Sequence, residues 1–291
     1  MTQDMLWRPA IEYNLAEHCN LRCEHCDQAS WMLPVKFADL ESFRRDMTAL
    51  AAVMRVRELK FGGGEPLQHP GILEFLRVAR EIGIAERIVL LTNGTLLHKA
   101  PEELWGLLDG LWITIYPGVR HRFDWDWVQQ KADEHRIWVW RKETPEFAQR
   151  LLVEEVRDDE FVKMVFQNCD LAHLESCHTI HEGRYYMCSP AVWTPQRLAA
   201  RGITFDNRET DGVALHDNPH LHDDLDALIR RSEPLDACRY CLGSWARSTP
   251  NRQLSGKAQV EFLTRPPTDL ADLIDPEIIV PRPYTRQQPT T

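Results

Sequence analysis

The sequence predicts an α/β protein with an incomplete parallel barrel followed by a small, cysteine-bearing extension. Over the first 167 residues, short apolar runs alternate with helical patterns, which is typical of β/α units that build a parallel sheet. Beyond that point the alternation stops, and glycine, proline and histidine become frequent. A closed barrel of eight β/α units needs about 250 residues, so the alternating region is too short to close.

Six apolar runs are predicted to form the strands, and five helical patterns to form the helices between them. In chain order, the strands are expected at residues 11–15, 58–61, 87–92, 111–116, 137–140 and 161–166. The helices are expected at residues 39–54, 71–82, 101–108, 125–135 and 144–156. Six strands, each preceded or followed by a helix, make a partial (β/α)6 barrel of the TIM type.

The change of pattern after residue 167 predicts three parts. Residues 1–167 are expected to form the barrel core and residues 168–265 a second domain that carries five of the eight cysteines. One helix, at about 222–232, is expected to lead into the last two of these cysteines. Residues 266–291 contain six prolines and few large apolar residues, which predicts a wrapping or disordered tail.

Composition narrows the class of protein. The hydrophobic content of 43% is enough for a real core, and the net charge of −10 argues against nucleic acid or an anionic membrane as the main partner. No apolar run approaches the ~18 residues of a membrane span, and the first residues lack the pattern of a signal peptide. We therefore expect a cytoplasmic protein whose cysteines are metal ligands rather than disulfides.

Three of the cysteines lie in one eight-residue stretch, directly after the first predicted strand. Cys19, Cys23 and Cys26 can grip one metal centre but leave it a ligand short. A four-iron cluster held in this way keeps one iron open for another molecule. Because a structural metal site closes all its positions, the open position suggests catalysis.

Distinctive segments also follow the next three predicted strands. They are Gly62-Gly63-Gly64-Glu65, Asn93-Gly94 and a stretch from Thr114 to Tyr116. Parallel α/β sheets bind ligands at the carboxyl ends of their strands, so these segments are expected to meet the cysteine loop at one edge. Glycines allow the backbone to approach a ligand closely, and the carboxylate of Glu65 suits an ammonium group.

The cysteine spacing CxxxCxxC, followed by the GGE sequence after the second strand, resembles the radical S-adenosylmethionine (SAM) superfamily over about residues 9–168. The resemblance implies a [4Fe-4S] cluster on Cys19, Cys23 and Cys26, with SAM chelating the open iron through its amino and carboxylate groups. A zinc knuckle is the alternative. The residues expected to contact SAM are Gly63, Gly64, Glu65 (on the ammonium), Asn93, Thr114 and Tyr116 (on the carboxylate or ribose). His25 either packs near the adenine or is an ordinary loop side chain.

The later cysteines resemble the C-terminal "twitch" extension of some radical SAM enzymes, a shortened form of the SPASM domain. The spacing from Cys169 to Cys188 reads C-x13-G-x4-C, and Cys238 and Cys241 form a CxxC. The resemblance implies one auxiliary [4Fe-4S] cluster. Its best ligand set is Cys169, Cys188, Cys238 and Cys241, with Cys177 as the substitute for Cys169. Zinc is again the alternative, because it binds four thiolates equally well.

The resemblance also implies an activity. Reductive cleavage of SAM gives methionine and a 5′-deoxyadenosyl radical, which abstracts a hydrogen atom from a substrate held inside the barrel. Four thiolates leave the auxiliary cluster no open iron, so we expect it to accept an electron and the net reaction to be an oxidation. A reductant such as flavodoxin or ferredoxin would supply the first electron.

The substrate class remains open in the sequence. Relatives with a twitch extension include dehydrogenases of sugar-like aminocyclitols, and only about ten residues precede the first strand, which favours a small-molecule substrate. The alternatives are a maturase of a ribosomal peptide and, in a different class, a non-catalytic iron-sulfur or zinc protein. Arg141, Lys142 and Glu143 close the fifth predicted strand and are candidates for binding substrate or acting as a base.

Overall fold

A parallel sheet of five strands forms the first half of the molecule. The computed structural model describes residues 4–175 and 177–277. The parallel strands are β1 (Leu6–Ala16), β2 (Met54–Gly63), β3 (Ala85–Thr92), β4 (Gly110–Ile115) and β5 (Trp138–Glu143), side by side in this order. They are connected by α1 (Leu40–Ala51), α2 (Ile72–Ile82), α3 (Glu103–Leu107) and α4 (Trp125–His135). The first five predicted strands and the first four predicted helices are therefore confirmed.

Local signals explain where these helices begin and end. The side chain of Asp39 accepts a hydrogen bond from Ser42 N at 2.8 Å, and Asp124 caps α4 in the same way through Asp126 N. The helix α2 ends at Gly83, whose φ of 66° is a left-handed conformation that glycine adopts without a steric penalty. The buried face of α1 carries Phe43, Met47 and Leu50, spaced for one side of a helix and packed on the sheet.

The predicted sixth β/α unit is wrong in both of its elements. Residues 161–166 lie in helix α5 (Asp159–Gln167), whose buried residues Val162, Val165 and Phe166 have helical spacing. Residues 144–156 are not a helix, because their backbone groups pair with a distant segment: Leu152 N donates to Tyr240 O and Val156 N donates to Arg239 O, each at 2.8 Å. This segment pairs instead with the C-terminal part of the chain, through β6 (Glu146–Ala148) and β10 (Ser248–Pro250), which are antiparallel.

The same sheet continues on the other side of β1. Here β7 (Thr179–His181) runs parallel to β1, and β8 (Arg184–Tyr186) and β9 (Gly212–Ala214) add antiparallel strands. The remaining helices are α6 (Asp170–His173), α7 (Ser189–Ala199), α8 (Arg208–Asp211), α9 (Leu221–Ile229), α10 (Gly256–Thr264) and α11 (Leu270–Leu273). The predicted helix at 222–232 is thus confirmed as α9. Residues from both sides of position 167 share one hydrophobic core.

The predicted tail is described only as far as residue 277. Its first part contains α11 and packs on the preceding segment, where Asp275 N donates to Trp245 O at 2.9 Å. This part therefore contacts the segment before it, whereas residues 278–291 lie outside the described residues, and the wrapping or disordered tail stays a prediction. In the portion of the chain that the structure describes, no helix has both the length and the apolar character needed to cross a membrane.

Candidate metal and cofactor site

A cavity of about 190 Å³ opens at the carboxyl ends of the parallel strands. It brings together all three cysteines of the loop and most of the predicted SAM contacts. The residues of these two predicted groups that line the cavity are Cys19, Cys23, Cys26, Gly63, Gly64, Asn93, Thr114 and Tyr116. The wall also includes Glu12, Asp27, Gly62, Thr92 and Phe147. The segments that follow the predicted strands therefore meet at one site, as the sequence predicts.

The glycine loop touches the cysteine loop backbone to backbone. Gly64 N donates to Ala16 O at 2.7 Å, and Glu65 N donates to His18 O at 3.2 Å. A Cβ at position 64 would lie 2.0 Å from His18 O, and one at Gly63, whose φ is 117°, would lie 2.2 Å from Ala16 O. Only glycine fits at these two positions. Their role is therefore to let the two loops come into contact, besides leaving room for a ligand.

Glu65 lies behind this wall and is fully buried. Its Oε1 accepts hydrogen bonds from Thr92 Oγ1 at 2.7 Å and from Leu67 N at 3.1 Å, and its Oε2 accepts one from Asn93 N at 2.8 Å. Burial raises the pKa of Glu65 to about 7, although the three hydrogen bonds favour the ionised form. The carboxyl group of Glu65 thus connects the glycine loop to the end of β3. Its contact with the ammonium group of SAM remains a prediction.

The three thiols of the loop are poor nucleophiles without a metal. Burial raises the pKa of Cys19 and Cys26, and it raises the pKa of Cys23 to about 12. Amide groups point at the sulfur atoms: Leu21 N lies 3.4 Å from Cys19 Sγ, and Gln253 Nε2 lies 3.0 Å from Cys23 Sγ. Coordination ionises such thiols, and amide hydrogen bonds to sulfur are typical of iron-sulfur sites. The donor set therefore fits an iron-sulfur cluster.

A C-terminal segment, residues 251–254, clamps the cysteine loop from outside. Arg22 N donates to Gln253 Oε1 at 2.7 Å, and Glu24 N donates to Arg252 O at 3.1 Å. The buried carboxylate of Glu24 accepts from the guanidinium groups of Arg252 and Arg265. Sequence reasoning missed this clamp, because a contact across some 230 residues leaves no local pattern.

Replacing Glu24 with alanine should loosen the cysteine loop. The substitution removes the carboxylate that two largely exposed guanidinium groups share, and because these arginines stay hydrated the loss is expected to cost about 1–2 kcal/mol. We expect a lower Tm and faster loss of iron to a chelator. The matched control is Glu261→Ala, whose carboxylate pairs with Lys257 at 3.8 Å on the exposed face of α10, where such pairs contribute about 0.5 kcal/mol or less. Equal iron-release rates in the two variants would contradict the role of the clamp.

Tyr116 and Asn93, two of the predicted SAM contacts, each have a defined neighbour in the structure. Tyr116 stacks on Phe147, with ring centroids 5.7 Å apart, at the edge of the cavity. Asn93 Nδ2 lies 3.6 Å from Cys19 Sγ, which links the end of β3 to the first cysteine. His25 points away from this cavity and packs against Phe262 at 5.6 Å, beside a separate cavity of about 330 Å³. Packing of His25 near an adenine in the cysteine cavity therefore finds no support in this geometry.

The later cysteines separate into four and one. The pKa of Cys188 is raised first by burial and then by the neighbouring thiols of Cys238, Cys169 and Cys241. The pKa of Cys177 is raised by burial and then by Glu12 and Glu175, with none of those four among its causes. Cys169, Cys188, Cys238 and Cys241, the ligand set preferred from the sequence, therefore lie near one another, whereas Cys177 lies beside Glu12 and Glu175. Metal ligation by this four-thiol cluster stays a prediction.

Two arginines lie between the two sets of cysteines. Arg150 Nη1 donates to Asp27 Oδ2 at 2.7 Å, next in sequence to Cys26, while Leu242 N donates to Arg150 O at 2.9 Å, next to Cys241. Arg197 is buried and donates to Leu151 O at 3.1 Å. In the described part of the chain, the buried Nε atoms of both arginines have no hydrogen-bond partner. The positive charges of Arg150 and Arg197 would therefore favour anionic metal centres at both sets of cysteines.

The three candidates at the end of β5 differ in direction, as alternation along a strand requires. Arg141 lies over the ring of Trp125 on α4 at 4.8 Å and pairs with Glu143 at 3.1 Å. Lys142 lies instead over the rings of Trp112 and Trp140. Of the three, Lys142 is the one on the face of the sheet that carries the cavity.

Comparisons with known proteins agree with this site. The model of the radical SAM superfamily matches residues 13–119. GTP 3′,8-cyclase of Chlorobaculum tepidum is 34% identical over 106 residues, which make up 36% of this chain and 32% of that protein. GTP 3′,8-cyclase of Heliobacterium modesticaldum is 32% identical over 97 residues, or 32% of this chain and 29% of that protein. The chain therefore matches about a third of the length of these curated relatives.

A solved structure extends the likeness of the fold. The crystal structure of BtrN in complex with AdoMet and 2-DOIA superimposes with a TM-score of 0.50 and 16% identity, covering 82% of this chain and 94% of that chain. At this identity the match shows a shared fold. Together with the superfamily match, it supports a radical SAM partial barrel, and this superfamily implies a [4Fe-4S] cluster and SAM.

Proposed function

We propose that this protein is a radical SAM enzyme that generates a 5′-deoxyadenosyl radical and oxidises a small molecule. The observation that carries the proposal is the single cavity walled by Cys19, Cys23 and Cys26 together with the strand-end glycines. Cys19, Cys23 and Cys26 would hold a [4Fe-4S] cluster, which when bound would supply the electron for cleavage of SAM and so allow a hydrogen atom to be taken from the substrate. The superfamily match and the complex of BtrN with AdoMet support the same chemistry.

The residues of the chain have three tasks in this proposal. The backbone of the glycine loop forms a flat wall against which SAM lies, because no side chain projects there. Glu65 fixes that loop through its three hydrogen bonds, and its Oε2, with one partner among the described residues, keeps a lone pair for the SAM ammonium. Tyr116 and Phe147 form an apolar rim that helps to exclude water from a reactive radical.

The four-thiol cluster is proposed to bind an auxiliary [4Fe-4S] cluster rather than zinc. Zn–S bonds of about 2.3 Å in a tetrahedral site bring the sulfur atoms within about 3.8 Å of one another. Within residues 4–175 and 177–277, no three of the cysteine sulfur atoms lie within 4.8 Å of one another. The wider spacing favours a larger centre. The neighbouring guanidinium groups of Arg150 and Arg197 suit an anionic centre of either kind, so the spacing of the sulfur atoms carries the choice.

Oxidation is the proposed outcome because four thiolates would leave an auxiliary cluster no iron open to the substrate. The substrate would then lose a hydrogen atom to the 5′-deoxyadenosyl radical, an electron to that cluster and a proton to water. The names of the curated relatives concern a cyclase of GTP and do not support dehydrogenation of a sugar-like substrate. Radical cyclisation of a nucleotide is therefore the second candidate. Peptide modification remains the further alternative from the sequence.

Anaerobic reconstitution with iron and sulfide, followed by SAM and a strong reductant, tests the proposal. We expect about eight irons per chain, as two [4Fe-4S] clusters require, and 5′-deoxyadenosine well above the level of a Cys23→Ala control. Stoichiometric zinc in the isolated protein without iron-sulfur absorbance, or 5′-deoxyadenosine equal to the control, would overturn it. Consumption of added GTP in proportion to 5′-deoxyadenosine would favour the cyclase candidate over oxidation.

A further inference from the structure

Charged side chains lie on the inner face of the sheet, next to the cysteine cavity. The strand register pairs Glu12 with Lys60 across β1 and β2, and Thr114 with Lys142 across β4 and β5. Glu12 and Thr114 themselves line the cavity that holds the three cysteines. The interior of a β/α barrel is usually filled by branched apolar residues. Charges at these positions therefore call for an explanation other than packing.

The two lysines share one aromatic ring. Lys60 Nζ lies 5.6 Å and Lys142 Nζ lies 4.9 Å from the ring centroid of Trp112. Among the described residues, neither ammonium group forms an ion pair with a carboxylate oxygen within 4.0 Å. The Nε1 atom of Trp112 is buried and likewise has no hydrogen-bond partner within those residues. Both ammonium groups therefore lie near the ring of Trp112 without a carboxylate partner, and the N–H group of that ring has no acceptor among the described residues.

Glu12 provides the opposite charge on the cavity side. Burial raises the pKa of Glu12, and Lys60 is the nearby charge that lowers it most. In the described part of the chain its carboxylate forms no hydrogen bond and no ion pair, although it lines the cavity wall. A carboxylate on the cavity wall without a protein donor is free to accept a hydrogen bond from a molecule bound there.

We propose that this charged face is the substrate subsite, and that it takes a small molecule with an anionic group and an amino or hydroxyl group. The anionic group binds between Lys60 and Lys142, beside Trp112 Nε1, and the amino or hydroxyl group donates to Glu12. The subsite opens on the cysteine cavity through Glu12 and Thr114, which places the bound molecule next to SAM. This proposal rests on the proposed function, since it assigns the substrate side of that site.

Calorimetric titration of the reconstituted, SAM-loaded enzyme tests the subsite without turnover. The probes are phosphoethanolamine and β-alanine, which carry the same amino group with a phosphate or a carboxylate. We expect one molecule of at least one probe per chain. We also expect that Lys60→Met, Lys142→Met and Glu12→Gln each weaken it about tenfold or more, as loss of a charge-assisted hydrogen bond does. Lys99→Met and Lys163→Met, on the outer surface, serve as controls and should bind like the native enzyme.

The result separates the two proposals. Binding that depends on Lys60, Lys142 and Glu12 supports the subsite, and the better probe identifies the anion as phosphate or carboxylate. Absence of binding by both probes, or equal weakening by the control variants, overturns it. Formation of 5′-deoxyadenosine is measured separately on the same preparations without either probe. A protein that cleaves SAM but binds neither probe therefore refutes the subsite alone, and one that binds a probe but never cleaves SAM refutes the proposed function.

Discussion

Replacing Cys188 with alanine should halve the iron content of the reconstituted protein, from about eight to about four irons per chain. Replacing Cys177 should leave it unchanged. The reason is geometric: Cys188 lies among the thiols of Cys169, Cys238 and Cys241, whereas Cys177 lies beside Glu12 and Glu175. The measurement is iron and sulfide analysis after desalting, with an electron paramagnetic resonance spectrum of the reduced protein to distinguish one cluster from two.

The pair of variants also separates the remaining alternatives for this centre. If Cys177→Ala loses four irons and Cys188→Ala keeps all eight, the ligand set is wrong. If neither loses iron but Cys188→Ala loses one zinc ion, the centre is a zinc site and the electron-acceptor role has no basis. Both variants should retain formation of 5′-deoxyadenosine in the absence of substrate, because the cavity of the first three cysteines is left intact in each.

The parts of the fold that sequence analysis predicted correctly are those governed by local pattern. The strands β1 to β4 contain buried apolar residues, whereas β5 is an exposed strand whose signal is its alternating tryptophans. The helices α1, α2 and α4 have amphipathic spacing with caps such as Asp39 and Gly83. The errors have a different origin. Residues 144–156 have helical composition, yet Leu152 N donates to Tyr240 O at 2.8 Å, so a distant segment decides their conformation. Tertiary pairing overrides propensity there.

The candidate site shows the same division. The cysteine loop, the glycine loop and Asn93 were predicted to meet because parallel strands end at one edge, and the structure brings them to one cavity. The clamp by Arg252 and Gln253, and the arginines between the two cysteine sets, were not predicted. Each depends on contacts between segments far apart in sequence. The charged face around Trp112 had one local signal, since Glu12 and Lys60 are charged residues inside the predicted strands at 11–15 and 58–61.

The glycine loop allows a prediction in which two neighbouring residues should behave in opposite ways. A Cβ at Gly62 would have nothing closer than Leu91 Cβ at 3.8 Å, which is ordinary contact. A Cβ at Gly64 would lie 2.0 Å from His18 O and 2.8 Å from Cys19 N, both backbone atoms of the cysteine loop. Those atoms cannot move without displacing Cys19, the first of the three ligands.

Gly64→Ala should therefore destabilise the protein by about 3 kcal/mol or more, the upper range for overpacking a well-packed site, and should lose most of the iron bound by the loop. Gly62→Ala should fold and bind iron like the native protein, with at most a modest loss of SAM affinity because the added methyl group lines the cavity. Thermal unfolding, iron analysis and SAM titration on both variants check this. If Gly64→Ala retained full iron and the native Tm, the contact between the two loops would not be needed. The glycines would then serve only the approach of SAM, and both variants would be expected to differ from the native enzyme in SAM affinity alone.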